Sequence, residues 1–171
     1  KASSFGHRNL VESYHDIAIG HDNLLASSSM TNSSGQTLTG ANNALGSENT
    51  LVGTENNVTG NYNNVGGASY DEASLSKTSS GNPLQNVTVL GNRNNVNSAS
   101  HLNTDTTVLG SSSTLFGSRN NIIGTYNRIG EGTIGNTSTF KEVTNANVLG
   151  SENVVKSNNT GIVGINNTID A

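Results

Sequence analysis

Residues 39–66 read TGANNALGSENTLVGTENNVTGNYNNVG. One phrase recurs four times within them: a glycine, an asparagine three residues on, and an apolar residue two further on. The copies are Gly40, Asn43, Leu45; Gly46, Asn49, Leu51; Gly53, Asn56, Val58; and Gly60, Asn63, Val65. The glycines fall six, seven and seven residues apart. A fixed short period marks a repeat architecture, in which each unit is completed by its neighbours.

The phrase extends in both directions. Gly6, Asn9 and Val11 return fourteen residues later as Gly20, Asn23 and Leu25, with Ser13, Asp16 and Ala18 as a degenerate copy between them. A clean run follows at Gly110, Ser113, Leu115; Gly117, Asn120, Ile122; and Gly124, Asn127, Ile129. Gly135, Ser138 and Phe140 read as one more copy, and residues 141–147 as a weaker link. The chain ends on Gly150, Asn153, Val155 and Gly164, Asn167, Ile169, again fourteen apart. Three stretches break the beat: 26–37, 67–85 with the lone Pro83, and 97–107 with His101. They read as loops inserted into one domain spanning 1–171.

Glycine and asparagine tolerate positive φ, so each Gly-x-x-Asn is a turn signal. The β-branched pairs before each glycine, such as Ile122-Ile123 and Ile162-Val163, favour short strands. A helix would need apolar residues at three-four spacing, and glycine every seven would weaken it. Adjacent strand residues point to opposite faces. The slot two before glycine is apolar almost throughout (Val11, Leu25, Leu51, Val58, Val65, Val96, Val108, Leu115, Ile122, Val148, Val155, Ile162, Ile169) and is expected inside. The slot just before glycine alternates, reading Phe5, Glu12, Ile19 at the start and Leu149, Lys156, Val163, Asp170 at the end. One strand of each coil is therefore apolar on its outer face. Such a face needs a cover, and closed self-association is the common solution. Phe5, Ile19, Val52, Leu149 and Val163 are expected to face partner chains, and Thr59 solvent.

Composition supports a thin repetitive β-structure. Hydrophobic residues are 31% of 171 and aromatics 4%, too few for a thick two-layer core. Charged residues are only 12% and the net charge is −4, which argues against disorder and gives no reason to expect nucleic acid. With no cysteine there is no disulfide framework or thiol chemistry. No apolar run is long enough to span a bilayer, and no membrane contact is expected from this segment itself. The chain opens within a phrase at Lys1 and reads as a piece of a longer protein.

The fourteen-residue pattern resembles the YadA-like head of trimeric autotransporter adhesins, most plainly at NVLGSEN (147–153) and TLVGTEN (50–56). The resemblance implies an all-β left-handed parallel β-roll of 14-residue coils, three chains packed as a homotrimer. It also implies a bacterial cell-surface protein, anchored in the outer membrane through other parts, that attaches to host cells, extracellular-matrix protein or glycan, or partner bacteria. The turns here are richer in asparagine than that family's, and the insertions longer, so no relative's ligand is carried over.

No catalytic constellation is legible, and no cofactor or metal is expected. Carboxylates are scattered, with Asp71 and Glu72 the only adjacent pair, and no Gly-x-Ser-x-Gly elbow occurs. His7 and His21 lie one period apart and are expected to stack as exposed turn residues. Calcium-binding β-rolls repeat on a nine-residue beat with aspartate. An asparagine column explains itself better as a hydrogen-bonded ladder along the stack. Binding is expected from the insertions, which a rigid scaffold displays. The 67–85 segment offers Tyr70, Asp71, Glu72, Leu75 and Lys77. The alternative function is a β-solenoid carbohydrate-binding or carbohydrate-active protein, and the latter would need carboxylates clustered in a groove.

Overall fold

In the computed structural model, residues 1–12, 15–26, 30–31, 37–38, 41–66, 70–71, 76–77, 83–98, 104–133 and 136–170 are described. All regular elements among them are β-strands. Two stacked sheets of parallel strands carry the chain from end to end. Sheet I has nine strands: Ser3–His7, Ile17–His21, Asn43–Ser47, Asn57–Asn61, Val87–Leu90, Thr106–Ser111, Asn121–Thr125, Asn147–Ser151 and Gly161–Ile165. Sheet II runs alongside through Leu10–Val11, Leu24–Ala26, Thr50–Thr54, Asn64–Val65, Asn95–Asn97, Thr114–Ser118, Arg128–Ile129, Val154–Val155 and Thr168–Ile169. The chain alternates between the sheets, so one strand from each makes a coil. We number these coils 1 to 9.

Where no insertion intervenes, paired residues are fourteen apart, as in Phe5 with Ile19, Asn43 with Asn57, Val108 with Ile122 and Val148 with Ile162. Each sheet sends one row of side chains inward. Ala18, Ala44, Val58, Val89, Val108, Ile122, Val148 and Ile162 come from sheet I; Leu25, Leu51, Val65, Val96, Leu115, Ile129 and Val155 come from sheet II. Val11 and Ile169 pack against this core half-buried. In most coils two aliphatic side chains, each Val, Leu or Ile contributing ~1.5–3 kcal/mol when buried, suffice because the coils share walls. The inward slot is where the spacing puts it, with one shift. In the short copy after Gly40, Asn42 and Ala44 are buried, and Leu45 points out, half exposed. The six-residue spacing moved both slots by one.

The turn glycines take the positive φ expected of them and meet a second constraint as well, whereas the ladder asparagines do not take it. The left-handed residue is the one before the asparagine, such as Glu48 (φ 55°), Tyr62 (φ 59°) or Glu152 (φ 58°). The glycine sits farther out, Gly60 at φ 128°, and a Cβ there would lie 1.8 Å from the carbonyl oxygen of Gly91 in the next coil. Backbone approaches backbone, so no side chain fits.

The insertions share one point of departure, the outer end of a sheet II strand. They follow Ala26 in coil 2, Gly66 in coil 4, Asn97 in coil 5 and Gly130 in coil 7. Short antiparallel pairs rise from three of them: Met30–Thr31 with Thr37–Leu38, Tyr70–Asp71 with Ser76–Lys77, and Glu131–Thr133 with Asn136–Lys141. The last pair corrects the sequence expectation. Ser138 and Phe140 stand on the Asn136–Lys141 strand and not in a coil, because Ile129 pairs directly with Val155 in the following coil; Gly135 lies outside the described residues. The expected loop bounds also contract. Leu84–Gln85 is already a strand pairing with Gly53 and Thr54, and Thr106 and Thr107 belong to a sheet I strand.

Residues 44–66 and 108–130 are equivalent pairs of coils, three coils apart. Each is followed by an insertion and a returning strand. Leu84 pairs with Gly53, and Val143 with Gly117 in the same way. Val52 thus corresponds to Phe116, and Tyr62 to Tyr126.

Candidate functional site

Three features of the surface bear on function: an apolar column on sheet I, an amide ladder at the turns, and the flank from which the insertions leave.

Outward residues of sheet I form a register column of Phe5, Ile19, Leu45, Thr59, Leu90, Leu109, Ile123, Leu149 and Val163. Phe5 is 78% exposed, Leu149 49% and Val163 82%. Apart from Thr59, every member is a large apolar side chain, and nine strands at ~4.8 Å spacing make the column about 40 Å long. A shallow groove at its end is lined by Ile123, Leu149 and Val163. Four of the five expected interface residues, Phe5, Ile19, Leu149 and Val163, stand in this column.

Val52 does not. It belongs to sheet II, paired with Ala26, and is 1% exposed. Thr59, expected at solvent on the polar sheet, occupies the apolar column in its place. The insertion after Ala26 is not a multiple of the beat, so the alternation between sheets was carried across it in the wrong phase. Val52 packs instead with Leu24, Ala26 and Leu10. Its counterpart Phe116 is likewise buried, and the strands Glu131–Thr133 and Asn136–Lys141 lie against its own strand. On the outside of sheet II, Leu24, Ala26, Val52 and Phe116 are thus buried, while most of the sheet I column is exposed.

The asparagines form the expected ladder. Asn49 Nδ2 donates to Asn23 Oδ1 (3.0 Å) and to the carbonyl of Gly60 (2.7 Å), while its backbone N–H donates to the same Asn23 oxygen (3.1 Å). Asn63 repeats this on Asn49 and Gly91, and Asn94 on Asn63 and Gly110. Ser113 takes one rung. It accepts from Asn127 N–H through Oγ at 3.3 Å but has no amide with which to donate. Beyond it the ladder resumes through Asn127, Asn153 and Asn167. A shorter column on the other edge links Asp16, Asn42 and Asn56. Buried amides satisfied on every side are structural, and this accounts for the column without a ligand.

Charged groups are few. Arg8 Nη2 lies 2.7 Å from Asp22 Oδ2, and His21 Nδ1 lies 3.0 Å from the same oxygen. The Arg8 hydrogen bond holds the Asp22 carboxyl below its ordinary value against the opposing effect of burial. His7 and His21 do pair in register, and no group of three or more metal-ligating side chains occurs among the described residues. On the insertion flank, Lys156 Nζ meets Asp170 Oδ2 (2.9 Å) and Glu131 Oε1 (3.3 Å), tying the Glu131–Thr133 strand to coils 8 and 9. Asp170 and Glu131 raise the Lys156 pKa, and Lys156 lowers that of Glu131.

Of the expected binding residues, Glu72 and Leu75 lie outside the described residues. Tyr70, Asp71 and Lys77 are placed only as backbone, on the Tyr70–Asp71 and Ser76–Lys77 pair. What sequence reasoning missed is that this insertion departs, like the other three, from the end of a sheet II strand. The signal was present in the glycine phase, since each insertion starts at the outer end of a sheet II strand. No protein-family model, curated protein or solved structure matches the chain.

Proposed function

We propose that this chain is the non-catalytic head of a bacterial surface adhesin. In this reading it is a left-handed roll of 14-residue coils, three chains packing as a homotrimer through sheet I, anchored to the outer membrane by other parts. The observation that carries the reading is the contrast between the two sheets. The apolar column from Phe5 to Val163 is exposed at every rung but the half-buried Leu109, whereas Val52 and Phe116 on sheet II are buried. An exposed apolar stripe of that length on a soluble rod needs a matching surface. A parallel copy of the chain supplies one at every rung. Packing of sheet I against partner chains leaves the sheet II flank outward, with all four insertions on it, and assigns attachment to that flank.

The register offset of fourteen residues supports the coil length, and the resemblance to YadA-like heads supplies handedness, the number three and the cellular setting. The carbohydrate-binding alternative keeps the same scaffold without the trimer.

The test has two arms. Light scattering should give three times the chain mass of 17.6 kDa. Attachment to host cells, matrix proteins and partner bacteria should fall when residues 67–82 are replaced by a short turn, while the assembly stays folded. A stable monomer, or attachment indifferent to every insertion, overturns the reading.

A further inference from the structure

Along the edge where sheet I turns into sheet II, the left-handed residues of successive turns form a ridge. In coils 4 to 7 these are Tyr62, Arg93, Ser112 and Tyr126, all between φ 56° and 59°. Backbone bonds fix the spacing: Arg93 N–H donates to Asn61 O (3.0 Å), Ser112 N–H to Asn92 O (2.9 Å) and Tyr126 N–H to Ser111 O (3.0 Å). A left-handed turn favours glycine, asparagine or aspartate and disfavours a bulky ring. Yet two of the chain's four tyrosines stand here, at equivalent places in the two coil pairs. The two residues are 51% and 66% exposed, so the core gives little reason for them.

The ridge has a definite chemistry. The Arg93 guanidinium lies over the Tyr62 ring, 5.7 Å from its centre. Three rungs at ~4.8 Å put Tyr62 and Tyr126 about 14 Å apart, with Arg93 and Ser112 on the rungs between them. Asn92, Ser111 and Thr125 stand beside them at the neighbouring turn position, Asn92 N–H donating to Ser111 Oγ at 3.4 Å. Glu48 and Glu152 close the ridge at either end. Aromatic side chains that are half or more exposed, interleaved with hydroxyls and amides, suit a sugar, whose C–H face stacks on a ring while its hydroxyls bond to polar neighbours. The single cation between the rings adds a preference for a carboxylate, which a guanidinium binds in a fork.

We propose that the ridge of Tyr62, Arg93, Ser112 and Tyr126 binds an oligosaccharide that carries a carboxylate sugar. This deepens the adhesin reading and rests on it only for where such a sugar is met. It assigns a ligand class to the coils themselves, apart from the insertions.

The probes are 3′-sialyllactose and its neutral parent lactose, titrated into the intact chain and followed by calorimetry and amide chemical shifts. Sialyllactose should bind about tenfold more tightly than lactose, with shifts centred on the four ridge turns. Tyr62→Asn and Tyr126→Asn should each weaken it by about tenfold. Asparagine keeps the left-handed turn, so the fold is retained and only the ring is lost. Arg93→Gln should erase the difference between the two sugars, and Arg119→Gln, at a left-handed turn on the opposite edge (φ 56°), should change nothing. No binding of either sugar at millimolar concentration, equal binding of the two, or tyrosine variants that bind as the parent does would each overturn the proposal. Cell attachment is scored separately. Attachment without sugar binding sinks this inference and leaves the adhesin reading, and sugar binding without attachment does the reverse.

Discussion

Asn49 and Asn23 are hydrogen-bonded twice, side chain to side chain at 3.0 Å and backbone to side chain at 3.1 Å, although twenty-six residues separate them. The same two bonds join Asn63 to Asn49 across fourteen residues. The ladder therefore depends on the stacking of coils and is indifferent to the chain between them. Asn63→Ala leaves the part-buried Gly91 carbonyl without its amide, removes one donor from buried Asn49 Oδ1 and takes the shared acceptor from the Asn94 N–H and amide. A loss of about 1–3 kcal/mol is expected in chemical denaturation. Asn167→Ala, at the exposed last rung, should cost under about 1 kcal/mol.

Ser113 marks the one rung of this column where the amide is missing. Ser113→Asn restores a side chain able to donate to both Asn94 Oδ1 and the Gly124 carbonyl. It should stabilise the protein by about 0.5–1.5 kcal/mol, seen as a raised denaturation midpoint with an unchanged slope.

Glycine carries a second structural demand. Gly60→Ala drives a Cβ onto the Gly91 carbonyl at 1.8 Å with φ at 128°, and should cost about 3 kcal/mol or more or prevent folding. Gly161, at the edge of sheet I, has nothing within 4 Å of the added carbon. Gly161→Ala should stay within about 0.5 kcal/mol of the parent. Thermal melts of the two variants separate backbone crowding from a general need for glycine.

The apolar column predicts a difference between two glutamates. Leu149→Glu places a charge on the exposed face of sheet I, so the chain should remain folded by circular dichroism while its mass by light scattering falls to that of a monomer. Val52→Glu buries an unpaired charge among Leu24 and Ala26 and should unfold the chain instead. Identical behaviour of the two variants would remove the distinction between the sheets.

Asp22 gives a pH signature. Its folded-state pKa is depressed, chiefly by the Arg8 hydrogen bond, so the stability it contributes is present above the ordinary aspartate value of ~3.9 and is lost as pH falls below it. Melting temperature measured from pH 6 down to pH 3 should fall less steeply for Asp22→Asn than for the parent.

Much of this architecture was readable from spacing alone. The inward slot, two before each glycine, named the core because burial inside a coil admits only apolar side chains and every coil repeats the same geometry. The asparagine ladder followed from the same regularity. Val52 and Thr59 exchanged faces because sheet identity alternates each half-coil, and the insertion after Ala26 resets the count by an amount that only the pairing of Ile19 with Leu45 reveals. The segment around Phe140 was misread because a hairpin can hold a glycine and an apolar residue at coil-like spacing by accident. The ridge of Tyr62 and Tyr126 was hidden for another reason. Its residues are scattered through the sequence, and adjacency across rungs appears only once the coils are stacked.

The four insertions leave from one flank without disturbing the register on either side. Gly60 and Gly91 are thirty-one positions apart in the chain, yet they approach as closely as Gly46 and Gly60, which are fourteen apart. The protein's reach and its surface decoration can consequently vary independently. An insertion that grows or shrinks by any number of residues leaves the two ends of the rod where they were. The gain of one complete coil moves them apart by a single strand spacing, ~4.8 Å, and changes no loop. Lineages that diversify the flank need not retune the length of the stack.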